Sequence, residues 1–268
     1  MNSKAQQIFK KGSTTYYVSS IFFPVEIREK VTTLYAYVRT IDDFVDALPA
    51  DEKSFIKYKD ATINKKSGIN IVDHFLQLSD TYHFQREWIH AFLNSMELDL
   101  DKTTYKDFHE LEAYMFGSAN VIGYMMSSIM GLPEEAYAYA GLQGKAMQLM
   151  NFIRDIKEDY ELGRIYIPQE DMNLFNVNSI IPKTKLEQEA TIRLIQFEIK
   201  RYFKIQQEAE KGYKYIPKRY LIPIKTAARM YYWTAKKIYE NPLLVFEKKL
   251  KPSKTRIVAT IIKHSLSL

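Results

Sequence analysis

The sequence predicts an all-α protein, and three observations support this class. Apolar residues recur every three or four positions in nine stretches of the 268 residues, which is the period of an amphipathic helix. Most of the prolines stand at the starts or breaks of these stretches. The alternation of apolar and polar residues that is typical of a strand is found only at residues 164–167.

The predicted helices follow one another along the whole chain. Pro24 stands before the first of them, Pro133 stands before the sixth, and Gly163 ends the sixth. The nine stretches are residues 25–47, 51–63, 71–80, 85–100, 104–130, 134–160, 185–212, 222–246 and 254–266.

Composition predicts one domain with a large core. Apolar residues make up 46% of the chain, with 15 Phe and 20 Tyr, and no Pro/Gly/Ser-rich linker divides it. The absence of cysteine excludes a disulfide framework, a thiol nucleophile and a Cys-ligated zinc. The first ten residues are polar and basic, and no run of eighteen apolar residues occurs. We therefore expect a soluble, cytoplasmic protein.

The chain is basic, with a net charge of +6. A basic balance fits nucleic acid, an anionic membrane or an anionic substrate. No nucleic-acid motif is present, so we expect no nucleic-acid partner. The lysines gather mildly over residues 236–256. A solvated basic face is the first interpretation of this tail, and peripheral contact with the inner face of the membrane is the second.

Two stretches carry a pair of aspartates four residues apart. On a helix, Gln148, Asn151, Asp155 and Asp159 would form one polar stripe. Tyr35, Arg39, Asp42 and Asp46 would form another in the first predicted helix, 25–47. Carboxylates at this spacing repel by about 3 kcal/mol at an effective dielectric constant near 20, and a cation between them removes that penalty.

The ligand types indicate magnesium. Mg²⁺ prefers oxygen, keeps several waters and is typically held by one or two carboxylates together with substrate phosphates. One such pair alone is usually a solvated helix face, but two pairs, each beside an arginine, favour a function. Two facing helices would clamp a magnesium-bound diphosphate, with Mn²⁺ as a substitute metal. The predicted metal ligands are Asp42, Asp46, Asn151, Asp155 and Asp159.

The motifs resemble those of the squalene/phytoene synthase family, which joins two prenyl diphosphates head to head. The long motif GKAMQLMNFIRDIKEDYELGRIYIP at 144–168 is the most specific. The shorter ones are GSTTYY at 12–17, LYAYVRTIDDFVD at 34–46, MELDL at 96–100, YMFGSANVIG at 114–123 and AARMYY at 227–232. The resemblance implies an isoprenoid-synthase-like helical bundle with a central apolar cavity, in one trans-isoprenyl diphosphate synthase-like domain over residues 1–268.

Three short segments have two interpretations each. From the residues alone, Ser13 and Thr15 suit helix capping, whereas the resemblance places them at the diphosphate site. Gly117 and Gly123 suit either close helix packing or a passing prenyl tail, and the resemblance favours the tail. Tyr166, beyond Gly163, could steer a departing diphosphate or face a cation.

The predicted site combines these patterns with the resemblance. The predicted catalytic residues are Asp42, Asp46, Asp155, Asp159, Arg39, Tyr35 and Tyr166. The predicted substrate-binding residues are Ser13, Thr15, Gln148, Asn151, Arg154, Arg164, Tyr114, Gly117, Ala119, Gly123, Tyr231 and Lys249.

The resemblance implies the reaction. One prenyl diphosphate ionises, the second attacks it to give a cyclopropylcarbinyl diphosphate, and that intermediate ionises again and rearranges. We predict a phytoene synthase that joins two geranylgeranyl diphosphates and does not require NADPH. The alternative is a squalene or dehydrosqualene synthase that uses farnesyl diphosphate.

Two further alternatives are weaker. A terpene cyclase or head-to-tail prenyltransferase would usually show D-D-x-x-D motifs, which residues 42–46 match only superficially and the second motif does not. Non-catalytic relatives of the family tend to lose aspartates, and all four are present here.

Overall fold

Helices account for the regular structure of this chain, as predicted. The structure is a computed structural model that describes residues 3–66 and 68–266, so residues 1, 2, 67, 267 and 268 of the predicted 1–268 domain lie outside the described part. Within that part no strand is formed, and an isolated parallel β-bridge joins Thr104 to Ile165. The strand-like pattern at 164–167 therefore corresponds to this bridge.

Fifteen α-helices are present in the described ranges, and every predicted stretch contains helix. Their bounds are α1 Ser3–Gly12, α2 Thr14–Ser20, α3 Val25–Val45, α4 Glu52–Ile63, α5 Asn70–Thr81, α6 Arg86–Asp101, α7 Phe108–Met115, α8 Val121–Met130, α9 Glu135–Arg154, α10 Ile156–Glu161, α11 Gln169–Leu174, α12 Lys185–Glu210, α13 Lys218–Glu240, α14 Leu244–Glu247 and α15 Lys254–Leu266. A π-helical turn, Phe116–Asn120, joins α7 to α8, and a 3₁₀ turn, Lys211–Tyr215, follows α12.

Three short helices, α1, α2 and α11, were not predicted. The first two are held by contacts that a local pattern does not reveal. Phe9 of α1 is buried and stacks on the Tyr35 ring, with the ring centroids 4.2 Å apart. Ser13 caps α2, since its hydroxyl accepts a hydrogen bond from the Tyr16 backbone N–H at 3.2 Å. The capping interpretation of Ser13 is therefore confirmed.

The predicted helix 134–160 is interrupted at Asp155. This residue has φ −102° and ψ 15°, so α9 ends before it and α10 begins after it. The backbone N–H of Asp159 still donates to the Asp155 carbonyl oxygen at 2.9 Å. The two aspartates thus keep their spacing of one turn, although they do not share one regular helix.

The predicted helix 104–130 begins later and is not uniform. Asp107 caps α7 by accepting a hydrogen bond from the Glu110 N–H at 2.8 Å, and the π-helical turn then widens the helix before α8. A Cβ at Gly117 would collide with the Ala91 carbonyl oxygen, and one at Gly123 with the Ala140 carbonyl oxygen. Close helix packing therefore requires a glycine at both positions.

Two large groups of buried side chains form most of the core, and a small third group lies under α15. The first is contributed mainly by α3, α5, α6 and α8, and the second by α7, α9, α12 and α13. A cavity of about 690 Å³ takes its lining from both groups. Its apolar walls include Phe23, Phe92, Met126, Leu132 and Ile224. The predicted bundle around a central apolar cavity is confirmed.

Candidate active site

The cavity collects almost all of the predicted site residues. Eighteen of the nineteen are among its lining residues, and the exception is Gly117, which is packed against α6. The eighteen are Ser13, Thr15, Tyr35, Arg39, Asp42, Asp46, Tyr114, Ala119, Gly123, Gln148, Asn151, Arg154, Asp155, Asp159, Arg164, Tyr166, Tyr231 and Lys249. Residues from distant parts of the sequence therefore meet around one space.

One wall of the cavity is built at the C-terminal end of α3. Asp42 lies in its last turn, and Asp46 is the residue that caps the helix. Arg39 binds Asp42 at 2.7 Å, one helical turn away. Arg164, which is buried, reaches Asp46 from the segment beyond Gly163 at 2.6 Å. Both aspartates of this wall are thus held in place by a guanidinium.

The second wall is formed where α9 gives way to α10. The Arg154 guanidinium donates two hydrogen bonds to the carboxylate of the neighbouring Asp155, from Nε at 2.8 Å and from Nη2 at 2.5 Å. Lys249 lies 3.5 Å from the same carboxylate and also contacts Glu158. Lys249, the predicted basic residue, therefore contacts Asp155 of the second pair. The two residues are 94 positions apart in the sequence.

The carboxylates of the two walls repel one another. Enclosure in the cavity wall and the Asp46 carboxylate raise the pKa of Asp42 to about 7, against the opposing effect of Arg39. Burial raises the pKa of Asp159 well above its usual value, and the charges of Asp155 and Asp46 add to this effect. The Asp46 charge thus raises the pKa of a carboxylate on each wall. This indicates that the two pairs face a common space. A bound cation would relieve this repulsion.

The donor set fits a magnesium ion that is shared with a substrate. Among residues 3–66 and 68–266, no three acidic or imidazole side chains converge on a point that could hold a metal. The protein thus offers separate oxygen donors rather than a closed cage, which is the usual way in which Mg²⁺ is bound together with phosphates. The Asn151 Oδ1 atom supports this fit because it is buried and has no hydrogen-bond partner in the described part of the chain.

Polar groups from the N-terminal helices complete this region. Thr15 lines the cavity beside the capping residue Ser13. Gly12 allows a close approach, because a Cβ there would collide with the Tyr35 hydroxyl oxygen. Tyr16 stacks on Tyr231, with the ring centroids 5.8 Å apart. The GSTTYY segment is therefore both a helix start and part of the cavity wall.

The structure adds one acidic residue that the sequence analysis did not assign, Asp99 of α6. It lines the cavity, is 6% exposed and accepts hydrogen bonds from the hydroxyls of Tyr114 at 2.6 Å and Tyr166 at 2.8 Å. A signal was present in the sequence: Asp99 follows Phe92 and Met96 by seven and three positions, so it continues their apolar helix face. A carboxylate on a buried face needs hydrogen-bond partners, which here come from two other parts of the chain.

Known proteins share both the sequence pattern and the fold. The chain is 25% identical to the 15-cis-phytoene synthase of Synechocystis sp., over 90% of this chain and 75% of that protein. It is 28% identical to the chloroplastic phytoene synthase of Daucus carota, over 90% of this chain but only 62% of the length of that relative.

A solved structure of a dehydrosqualene synthase in complex with ligand superposes with a TM-score of 0.79 at 22% identity, covering 98% of this chain and 94% of that one. This likeness shows the fold. The sequence profile described as Squalene/phytoene synthase matches residues 9–256, nearly the whole chain. The protein therefore belongs to the squalene/phytoene synthase family of prenyltransferases.

Proposed function

We propose that this chain catalyses the Mg²⁺-dependent head-to-head (1'-1) condensation of two geranylgeranyl diphosphates to phytoene, through a cyclopropyl diphosphate intermediate. The observation that carries the proposal is the combination of two acidic walls, each fitted with basic side chains, in a cavity that is otherwise largely apolar. The two phytoene synthases to which the chain is similar support the same reaction.

The diphosphate is held by groups on both walls. Asp42, Asp46, Asp155, Asp159 and the free Asn151 oxygen would hold the metal, which stabilises the negative charge on the departing diphosphate. The cationic groups of Arg39, Arg154, Arg164 and Lys249 lie beside these aspartates, where they can also bind phosphate oxygens. A guanidinium bound to a carboxylate is already oriented, so little entropy is lost when a phosphate replaces or joins that partner.

The rest of the cavity suits the prenyl chains and the cations formed from them. Apolar side chains from α3, α6, α8 and α13 line it and exclude water, which would otherwise quench a carbocation. Aromatic rings in the same wall can stabilise positive charge. Gly123 lines the cavity and also packs closely against the Ala140 backbone. A prenyl tail could therefore pass this point without disturbing the helix packing.

Product identification tests the proposal. The protein is incubated with Mg²⁺ and farnesyl or geranylgeranyl diphosphate, each with and without NADPH, and the hydrocarbons are identified by mass spectrometry. We expect a C40 hydrocarbon from geranylgeranyl diphosphate, in equal amount with and without NADPH. A C30 product from farnesyl diphosphate alone would support the dehydrosqualene alternative, and an NADPH-dependent one the squalene alternative. Cyclised products, or no product, would contradict head-to-head condensation.

A surface near the C-terminal helix supports peripheral membrane contact. Helix α15 packs against α2 and α13, with Ile257 and Ile261 buried on Met230. Its other face exposes Val258 and Ile262, and the exposed Ile21 and Phe22 directly follow α2. The tail is thus packed on the bundle through one face of α15, while the other face exposes apolar side chains to solvent. No helix within the described ranges is long and apolar enough to cross a bilayer.

We expect reversible binding to anionic vesicles at low salt and release at high salt, since each basic residue near anionic lipid contributes about 1 kcal/mol. Co-sedimentation with anionic and neutral vesicles measures this. The double variant Val258→Glu/Ile262→Glu should pellet less, whereas Leu186→Glu, at an even more exposed apolar site on α12, should behave like the unchanged protein. Equal, negligible pelleting with both lipids at low salt would contradict membrane contact.

A further inference from the structure

Asp99 is a cavity carboxylate outside the two aspartate pairs. It lies in the last turn of α6, and its two carboxylate oxygens accept from different phenols: Oδ2 from Tyr114 and Oδ1 from Tyr166. The three residues come from α6, from α7 and from the segment beyond α10. All three line the cavity. Two tyrosines from distant parts of the sequence therefore bind one buried carboxylate, and the packing of the helices brings them there.

The hydrogen bonds determine what the two tyrosines can offer a substrate. A phenol has one O–H to donate, and its oxygen keeps lone pairs for accepting. Because Tyr114 and Tyr166 both donate to Asp99, their oxygens can present only lone pairs to a ligand. They are therefore unsuited to donating a hydrogen bond to a diphosphate and suited to facing positive charge. Of the two roles left open for Tyr166, this geometry favours the second.

The charge of Asp99 is only partly compensated. The Arg164 guanidinium donates to the backbone carbonyl oxygen of Asp99 at 2.9 Å, while its strong partner is the Asp46 carboxylate at 2.6 Å. Burial raises the pKa of Asp99 to about 6, and the two phenol hydrogen bonds and Arg164 oppose this rise. The carboxylate is thus predominantly ionised at pH 7.5, in a surrounding where charges act more strongly than in water.

Aromatic rings surround this anion. Tyr166 stacks on Phe152 with the ring centroids 4.0 Å apart, and Tyr114 lies 5.5 Å from Tyr166 by the same measure. Tyr105 joins the cluster at 5.4 Å from Tyr114. Ring faces attract cations, and a nearby carboxylate that polarises the phenols increases the electron density of those rings and oxygens.

We propose that Asp99 is a positioning residue that makes Tyr114 and Tyr166 an acceptor site for the prenyl carbocation, separate from the walls that hold the metal and the diphosphate. This inference rests on the proposed function. When the allylic C–O bond breaks, its electron pair leaves with the diphosphate and the positive charge stays on the prenyl carbon. Asp99 and the two tyrosines form and break no covalent bond in this step; they stabilise the charge that it creates.

The test uses a stable mimic of the cation. Geranylgeranyldimethylamine is an ammonium ion at pH 7.5, and geranylgeranyl methyl ether is its neutral counterpart. Binding of each is measured by calorimetry in non-ionic detergent with Mg²⁺ and inorganic diphosphate present. We expect Asp99→Asn to weaken binding of the ammonium about tenfold while binding of the ether stays unchanged. In turnover, kcat should fall and KM should not.

Glu97→Gln is the matched control, because it removes the same charge two residues away on an exposed side of α6, where Glu97 pairs with Lys59 at 2.6 Å. It should change neither ligand's binding. Tyr166→Phe provides a second measurement if Asp99→Asn does not fold, and it should also lower the preference for the ammonium. Equal weakening of both ligands, or no change in either, would overturn the proposal.

The outcomes separate this inference from the proposed function. Normal product formation by Asp99→Asn, with an unchanged preference for the ammonium, would refute the cation site and leave the reaction intact. The unchanged protein could instead form no prenyl product and still prefer the ammonium to the ether in a way that depends on Asp99. That result would support the cation site and refute the reaction.

Discussion

Asp46→Asn and Asp155→Asn are each expected to lower turnover at least about 100-fold, which is the scale for loss of an electrostatic contact to the transition state. Each substitution removes one negative oxygen from a different wall while keeping the size of the side chain. The same loss is expected for Asp42→Asn and Asp159→Asn. Steady-state kinetics with saturating Mg²⁺ measures the effect.

The fold should survive these substitutions. The Arg164 guanidinium keeps its hydrogen bonds to the Val45 and Asp99 carbonyl oxygens when Asp46 becomes Asn. Circular dichroism and the melting temperature verify this. Glu161→Gln is the control, since Glu161 lies two positions after Asp159 in sequence but outside the cavity lining. Near-normal turnover of both Asp46→Asn and Asp155→Asn would show that the two walls do not bind a metal-bound diphosphate.

Removal of divalent metal is expected to abolish turnover. With excess EDTA no product should form, and Mg²⁺ or Mn²⁺ should restore it, because the available donors are carboxylate and amide oxygens. Titration of the metal into the chelated protein, with product as the readout, measures this. Full turnover in chelator would refute the metal requirement.

A second readout does not depend on activity. Mg²⁺ together with inorganic diphosphate should raise the melting temperature, since a ligand that binds only the folded state stabilises it by about 2.7 kcal/mol at 100 times its Kd. Diphosphate without metal should give a smaller shift. Asp155→Asn should lose most of the shift that requires both ligands, which would assign the binding to the walls described here.

Local spacing explains why much of the site could be predicted. Two aspartates four residues apart on a helix must lie about one turn apart, whatever the rest of the chain does. The same rule placed Tyr35 and Arg39 beside the first pair and Gln148 and Asn151 beside the second. Even the interruption at Asp155 left the spacing of the second pair unchanged, because the backbone hydrogen bond from Asp159 to Asp155 is kept.

The pairings across the cavity could not be predicted in this way. Arg164 meets Asp46 from 118 positions away, and Tyr166 meets Asp99 from 67 positions away. No periodicity relates such residues, since their distance depends on how the helices pack. For the same reason, the sequence did not show that Gly117 faces α6 rather than the cavity.

The sequence by itself determined the helical class, nearly all of the long helices and the two aspartate pairs, because these follow from interactions within a few turns of one helix. Tertiary structure decided the rest: that the two pairs face one cavity, that short helices α1 and α2 form against it, and that Asp99 is a partner of two tyrosines. Those features arise from burial, which brings distant residues together and requires each buried polar group to find a hydrogen-bond partner.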